Sequence, residues 1–191
     1  MLNRLFDIYE RIAPISTELK EYLNDTIKCV RLPKKHLLLV EGQVCRNIFF
    51  IDAGFVRAYY AKDGKEMTSW FSGAGEVVMS IKSFLKQTAS AENIELLADS
   101  TLLALSYSQL QFAYQNFSEF NYIGRVLTER YFIISEERAT VLRVFSARHR
   151  YEDLLKKHPE ILQKASLGQI ASHLGITQET LSRIRRSKCA F

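Results

Sequence analysis

The sequence has few of the residues that mark proteins held together by disulfides or structural metals. Its 191 residues include three cysteines, Cys29, Cys45 and Cys189, and none of them forms a CxxC pair. Disulfide scaffolds and zinc ribbons need closely spaced cysteines, so neither is expected. No apolar run approaches the ~20 residues that a membrane-spanning helix needs. The N-terminal stretch carries acidic residues and no continuous apolar block, so we expect no signal peptide and a reduced, cytoplasmic protein.

Positive charge is concentrated near one end of the chain. The formal net charge is +5, yet residues 1–146 contain 17 basic and 17 acidic residues. Residues 147–191 contain 9 basic and 4 acidic residues and therefore carry the whole excess. This concentration is what a polyanionic partner would require, whereas a merely well-solvated surface would spread the excess evenly.

Short β-type runs fill the chain from about residue 30 to residue 107. They read LLLV, NIFFI, FVRAYY, MTSWF, NIELLA and TLLALSY, and turn signals separate them. The strongest of these signals is Asp63-Gly64, because Asp-Gly tolerates the positive φ angles of a tight hairpin turn. Several short strands about ten residues apart predict a sandwich or jelly roll. Two short helices are predicted before the strands, with Ser16 capping the second, and GEVVMSIKSFLKQ is expected to hold another.

A helical period then continues over residues 118–145. Six of the eight heptad seam positions are apolar, and the eight are Phe120, Ile123, Leu127, Arg130, Ile134, Glu137, Val141 and Val144. At 1.5 Å per residue the helix would be about 40 Å long, more than a β domain of this size can cover. One apolar face packing on the β domain and a partner helix from a second subunit both remain open. We expect a homodimer whose interface includes Phe120, Ile123, Leu127, Ile134 and Val141.

The stretch SLGQIASHLGITQETLSRIRR, residues 166–186, predicts two short helices that are separated at a glycine. The apolar positions that would join the two helices are Ile170, Leu174, Ile176, Leu181 and Ile184. Ala171 supplies the small side chain that a steep helix crossing needs, and Gly175 accepts a left-handed conformation at the turn. HPEIL, with Pro159 at a helix start, marks the beginning of this terminal unit. The pattern is typical of a DNA-binding helix-turn-helix; a purely structural hairpin is the alternative.

The second of these helices has a polar outer face. Thr177 is a good N-cap, and the residues left on the exposed face are Gln178, Glu179, Ser182, Arg183 and Arg186. Polar groups near the start of a recognition helix reach base edges in the major groove, where Gln reads adenine, Glu reads cytosine and Arg reads guanine. We therefore expect Gln178, Glu179 and Arg183 to read bases. We expect Thr177, Ser182 and Arg186 to hold phosphates.

Taken together, these segments resemble the Crp/Fnr superfamily of bacterial transcription regulators. Residues 37–66 resemble the first half of a cyclic-nucleotide-binding jelly roll, and residues 150–186 resemble the Bacteroidetes-type branch. The resemblance implies an α+β protein with a β-roll sensor domain (1–117), a dimerisation helix (118–146) and an all-α helix-turn-helix domain (147–191). It also implies a homodimeric regulator that binds double-stranded DNA, works with RNA polymerase and responds to a small effector or to none.

The same resemblance places an effector cassette at Gly75-Glu76 and at Ala89-Ser90-Ala91. In the family the Glu holds a ribose hydroxyl, and an Arg-Ser pair grips the cyclic phosphate. Here Ala89 occupies the position of the arginine, and a methyl group cannot replace a bidentate arginine–phosphate contact. Lys86 is the nearest cation in sequence. We expect cyclic AMP to bind weakly or not at all, and no other cofactor is indicated.

The remaining sensing modes and functions have little support in the sequence. An iron–sulfur sensor needs an N-terminal cysteine cluster, and the four histidines carry no haem-ligand signature. The chain ends five residues after Arg186, so the β-wing that often follows in the family is expected to be missing. No nucleophile–base set, HExxH or phosphate-binding loop occurs, so we expect no enzyme. The competing function is a ligand-binding module whose helix-turn-helix serves protein interaction.

Overall fold

The computed structural model describes residues 2–186. The described residues do not include residue 1 or residues 187–191. Cys189, the start of the first predicted domain and the end of the last one therefore lie outside them. Two short helices come first, α1 (Asn3–Glu10) and α2 (Thr17–Thr26). The Ser16 hydroxyl accepts a hydrogen bond from the Leu19 amide at 3.2 Å, so the predicted N-cap is confirmed.

Two antiparallel four-stranded sheets form the middle of the chain. The strands are β1 (Lys28–Leu32), β2 (Leu37–Leu39), β3 (Asn47–Ala53), β4 (Phe55–Lys62), β5 (Lys65–Gly73), β6 (Val77–Val78), β7 (Asn93–Leu96) and β8 (Ser100–Ser106). Sheet A has the order β1-β8-β3-β6, and sheet B has the order β2-β7-β4-β5. The predicted sandwich is therefore confirmed. We call β1 to β8, with the short helix α3 (Ile81–Lys86), the roll.

Local sequence signals fix two of the roll's features. Asp63 and Gly64 have φ angles of 52° and 72°, as the tight turn between β4 and β5 requires. The helix α3 lies within the segment that was expected to interrupt the strands. Side chains from both sheets and from α2 fill the interior, and the most buried of them are Leu19, Leu23, Ile51, Val56, Ala58, Leu96 and Leu102.

Two helices follow the roll, α4 (Tyr107–Asn116) and α5 (Ser118–Val144). A capping box between Ser106 and Gln109 begins α4. The helices approach closely at Gly124, where an added Cβ would lie 2.4 Å from a ring carbon of Tyr114. The predicted long helix is present and ends one residue earlier than expected.

The last four helices form a unit that we call the head: α6 (Ala147–Lys157), α7 (Ile161–Lys164), α8 (Leu167–His173) and α9 (Gln178–Arg186). Its apolar core includes Leu154, Ile161, Ile170 and Leu181, and the core continues into side chains of sheet B. Arg150 ties the head to the end of α5, since its guanidinium donates to the carbonyl groups of Phe145 and Leu174. No helix between residues 2 and 186 is long and apolar enough to cross a bilayer.

Candidate nucleic-acid interface and effector cassette

The helices α8 and α9 are joined by a short turn whose geometry follows from the sequence. Ser166 and Gln169 form a capping box at the start of α8, with hydrogen bonds of 2.9 and 3.2 Å. Gly175 has a φ angle of +64°, which is the left-handed conformation that the spacing predicted. Ala171 is buried where the helices approach, and its carbonyl accepts from the Ile176 amide at 3.0 Å.

The predicted reading residues lie on the outer face of α9. Thr177, Gln178, Glu179, Arg183 and Arg186 are exposed, and Ser182 is half-buried. On the opposite side of the helix Leu181 is fully buried in the core of the head. The structure therefore brings all six predicted residues to one short helix and leaves five of them open to solvent.

Hydrogen bonds and charges order the first turn of α9. The Thr177 hydroxyl accepts from the Thr180 amide at 3.2 Å, which caps the helix. Glu179 accepts from its own backbone amide and from the Thr177 hydroxyl, and Arg183 is nearby, so its pKa lies below the ordinary value. Arg183 donates to the Thr180 hydroxyl at 3.3 Å. An ionised acceptor and an arginine donor thus stand one turn apart on the exposed face.

Arg185 belongs beside this face, and sequence reasoning did not select it. The last turn of α9 carries Arg183, Arg185 and Arg186, and Arg185 is only half-buried. The signal was available in the sequence as an Arg-Arg pair at the end of the helix. Clustered arginines at this position add positive charge where a phosphate backbone would approach.

The expected dimer interface has to be revised. Phe120 and Ile123 are 3% and 0% exposed within their own chain, and Phe120 packs against the rings of Tyr9 on α1 and Tyr114 on α4. They are therefore not available to a second subunit. Leu127 and Val141 are half-buried, and Ile134 is exposed. The heptad register follows one face of α5, whose first and second halves have different neighbours.

The second half of α5 carries a largely apolar exposed surface. Phe132 and Val144 are 66% and 72% exposed, and the other large apolar side chains exposed there are Tyr131, Ile133, Ile134 and Leu142, with Phe145 directly after the helix. A groove of about 460 Å³ lies between this part of α5 and α6, with Phe132 and Val141 among its walls. A concentration of exposed large apolar side chains of this kind usually marks an interface.

In the effector cassette, the first pair of predicted residues stabilises its own turn. Gly75 has a φ angle of +95°, and its amide donates to the Ile51 carbonyl at 2.7 Å. The exposed carboxylate of Glu76 accepts from the Gly73 amide at 2.9 Å. Glu76 is therefore engaged as a turn carboxylate.

The second group of cassette residues faces different neighbours. Ala89 and Ala91 are exposed, whereas Ser90 is buried. The Ser90 hydroxyl is 2.8 Å from the Glu92 carbonyl and 3.1 Å from the Ser80 hydroxyl. The hydroxyl that the resemblance assigns to a phosphate is thus bonded to the protein itself.

Glu92 is a buried acid beside the cassette that sequence reasoning missed. Its carboxyl is hydrogen-bonded by the side chains of Ser80, Ser69 and Trp70, and burial raises its pKa above the ordinary value. It is 8% exposed. The signal in the sequence was an acidic residue directly before β7 and two positions after Ser90.

The roll also has a cavity of about 410 Å³ beside the cassette, since Gln43 in its wall accepts a hydrogen bond from the Ser90 amide at 2.8 Å. Leu39, Val44, Cys45 and Phe49 are among its walls, and none of the five predicted effector residues lines it. Burial raises the pKa of the Cys45 thiol. Between residues 2 and 186 no group of three or more metal-ligating side chains is close enough to hold a metal ion.

Comparison with protein families agrees with this architecture. Residues 29–117, which include most of the roll together with α4, match the family model of the cyclic nucleotide-binding domain. No curated protein matches the chain by sequence.

Solved structures extend the likeness over most of the chain. The c-di-GMP-responsive global regulator CLP of Xanthomonas campestris has 17% identity and a TM-score of 0.68, with 92% of each chain covered. A Crp/Fnr-family regulator of Eubacterium rectale has 17% identity and a TM-score of 0.71, with 91% of this chain and 83% of that chain covered. FixK2 of Bradyrhizobium japonicum has 19% identity and a TM-score of 0.72, with 85% and 84% covered. The chain thus has the fold of Crp/Fnr-type regulators.

Proposed function

We propose that this protein is a Crp/Fnr-type transcription regulator that binds double-stranded DNA as a homodimer. The observation that carries the proposal is α9, whose predicted reading residues are exposed together while Leu181 anchors its other side. The likeness to solved regulators and the excess positive charge of residues 147–191 support it. Gln178, Glu179 and Arg183 lie in the first turns of α9, where a recognition helix contacts base edges.

The homodimer is formed through the second half of α5. Its exposed apolar side chains are too numerous for a helix that remains in water. A second copy of α5 offers the same surface, so a two-fold interface covers both. Two recognition helices related by this axis would meet successive major grooves. The operator is then an inverted repeat with half-sites about ten base pairs apart, or a multiple of that.

The cassette does not bind cyclic AMP with useful affinity. Ala89 is exposed and carries no charge, the Ser90 hydroxyl is bonded within the protein, and the nearby Glu92 carboxyl would oppose a phosphate when ionised. A buried phosphate would lack a counter-charge, which is costly. Calorimetry should detect no binding at micromolar concentration. Micromolar affinity would contradict the proposal and would indicate another cation, with Lys86 the first to replace by alanine.

DNA recognition is tested by binding-site selection followed by fluorescence anisotropy at several salt concentrations. Arg183→Ala should cost roughly 1–3 kcal/mol on the selected site and relax the preference at one base pair per half-site. Arg186→Ala should weaken binding to all sequences and reduce the salt slope by about one contact. Arg125→Ala is the matched control, because it removes an exposed arginine from α5.

Two outcomes would overturn the assignment. If Arg183→Ala keeps the parent's sequence preference, the reading face has been misplaced. If the unmodified protein binds duplex DNA weakly and without a steep salt dependence, the head is a protein-interaction unit and the competing function gains support.

A further inference from the structure

Four aromatic rings form a row between the head and the outer face of sheet B. The His173 ring lies edge-on to Phe71 with 5.1 Å between ring centroids, and the His158 ring lies edge-on to Phe55 at 5.5 Å. Phe55 and Phe71 stack on each other at 5.9 Å. The two phenylalanines belong to β4 and β5, whereas the two histidines belong to the head. The head therefore contacts the sheet with a histidine at each end of the row.

A pair of hydrogen bonds joins the head to β5 beside this row. The Ser172 hydroxyl accepts from the Thr68 amide at 3.0 Å and donates to the Glu66 carbonyl at 3.1 Å. The strand β5 is the outermost strand of sheet B, so these backbone groups lie at an open sheet edge. The Thr68 amide is thus a local reporter of whether the head is docked.

We propose that protonation of His173, assisted by His158, releases the head from sheet B, so that the docked contact is a pH-sensitive switch. The proposal concerns a contact within one chain and does not depend on DNA binding. A release of the head would free the position of α9 relative to the roll.

The surroundings of His173 disfavour a second proton on its ring. Its Nδ1 atom is buried and has no hydrogen-bond partner among residues 2–186. Burial lowers the pKa of His173 to about 4, and the positive charge of Arg138 on α5 acts in the same direction. Hydrogen bonds with the backbone of Ser69 and Thr68 on β5 act to raise the pKa of His173, but the effect of burial is larger. His158 is the other titratable group that faces it.

The pKa of His158 is also lowered in the docked state, although nearby carboxylates oppose the shift. Burial lowers its pKa, while the carboxylates of Glu76 and Glu160 act to raise it. Arg138 and Lys157 add positive charge that lowers it further. His158 is 7% exposed, so its protonation in the docked state also places a charge in a nearly dry contact.

The direction of the effect follows from linkage. A histidine with a lower pKa in the docked state than in the released state favours docking when it is neutral. Docking is therefore most favourable at pH values above the pKa of the histidine in the released state, near 6.5. It becomes less favourable as the pH falls from there towards 4. For His173 alone, the equilibrium constant for docking should be about tenfold lower at pH 5.5 than at neutral pH, and about thirtyfold lower at pH 5.

Hydrogen exchange of the unmodified chain tests this proposal. The protection factor of the Thr68 amide, corrected for the intrinsic pH dependence of exchange, should fall about tenfold between pH 7.5 and 5.5. The Leu103 amide in sheet A should stay protected, because the roll itself remains folded. In His173→Gln the fall at Thr68 should shrink to the smaller share from His158. His36→Gln is the matched control, since His36 is exposed on the roll.

Two results would overturn the proposal. One is a Thr68 protection factor in the unmodified protein that stays constant between pH 7.5 and 5, or that falls equally in His173→Gln. The other needs no variant: the ring protons of His173, followed by NMR, should titrate below pH 5 if the head is docked. A midpoint near 6.5, in a chain whose Thr68 amide is protected, excludes His173 as the switch.

Discussion

The two halves of α5 have similar apolar sequences and opposite surroundings. In the first half Phe120 and Ile123 are buried within their own chain, and in the second half Phe132 and Val144 are mostly exposed. The helix is continuous over Ser118–Val144, so the difference arises from what lies beside it. An apolar seam in a sequence shows that a face will be covered, but its neighbour must come from the rest of the fold.

The largest expected effect comes from placing a charge in the first half. Ile123→Asp should destabilise the protein by roughly 4 kcal/mol or prevent folding, because an unpaired carboxylate would enter the core. Urea unfolding followed by circular dichroism measures the loss. Ile133→Asp is the matched control on the exposed half and should leave the roll folded. Equal losses in the two variants would show that the halves do not differ as described.

A charge in the second half should act on assembly and not on folding. Ile134→Asp should raise the dimer dissociation constant by about 100-fold or more, since an unpaired charge in an apolar interface costs several kcal/mol. Sedimentation velocity over a concentration series measures it. Asn121→Asp, exposed on the first half of the same helix, should leave the constant unchanged. A wild-type protein that sediments as a monomer throughout the series would contradict the proposed interface.

The start of α5 is held to α2 by one hydroxyl with two hydrogen bonds. Ser16 caps α2 and donates to the Glu119 carboxylate at 2.6 Å. Ser16→Ala should cost about 1 kcal/mol in urea unfolding, and Ser16→Thr should recover most of it. A loss below about 0.3 kcal/mol would mean that the cap and tether add little.

The same contact should make stability depend on pH. The Ser16 hydroxyl, followed by the backbone amide of Glu119, holds the pKa of Glu119 below its ordinary value. This contribution is present above the unfolded pKa and is lost as pH falls through the folded pKa. Unfolding free energies measured from pH 6 to pH 3 should therefore fall more in the parent than in Glu119→Gln. Parallel curves would exclude this role for Glu119.

The smallest effect is expected where the two halves meet. Arg125 forms an exposed ion pair with Glu129, four residues along the helix, and lies over the Tyr122 ring at 5.1 Å. Exposed pairs of this kind contribute little, so Arg125→Ala should change stability by no more than about 0.5 kcal/mol. Adding about 0.5 M salt should change the free energy of unfolding by a similarly small amount. A loss above about 1.5 kcal/mol would show that this boundary is more buried in the assembled protein.

Much of the fold followed from local signals, because those signals act over a few residues. The Asp63-Gly64 turn, the Ser16 cap and the left-handed Gly175 each depend on backbone chemistry that the sequence displays directly. The helix α4 was missed although its capping box, Ser106 and Gln109, was visible as a Ser-x-x-Gln pattern.

What could not be predicted depends on contacts between distant segments. The burial of Phe120 involves the Tyr9 ring, which belongs to α1 at the other end of the domain's sequence. The hydrogen bonds of Glu92 come from side chains that lie 12 to 23 residues away in the sequence. The row of rings joins strands of the roll to helices of the head across about 100 residues of sequence. A periodic pattern predicts the helix or strand to which a residue belongs, but it does not predict which distant residues will contact it.

The Ser172 contact also covers part of an exposed sheet edge through which copies of this chain could associate. The strand β5 is nine residues long and forms one edge of sheet B, whereas β2 at the opposite edge has only three residues. A long unpaired edge is a template on which another chain can add a strand. The head covers part of that edge and the adjacent Phe55 and Phe71 side chains. A roll cut away from its head would expose both features at once, and we expect such a fragment to aggregate through strand addition.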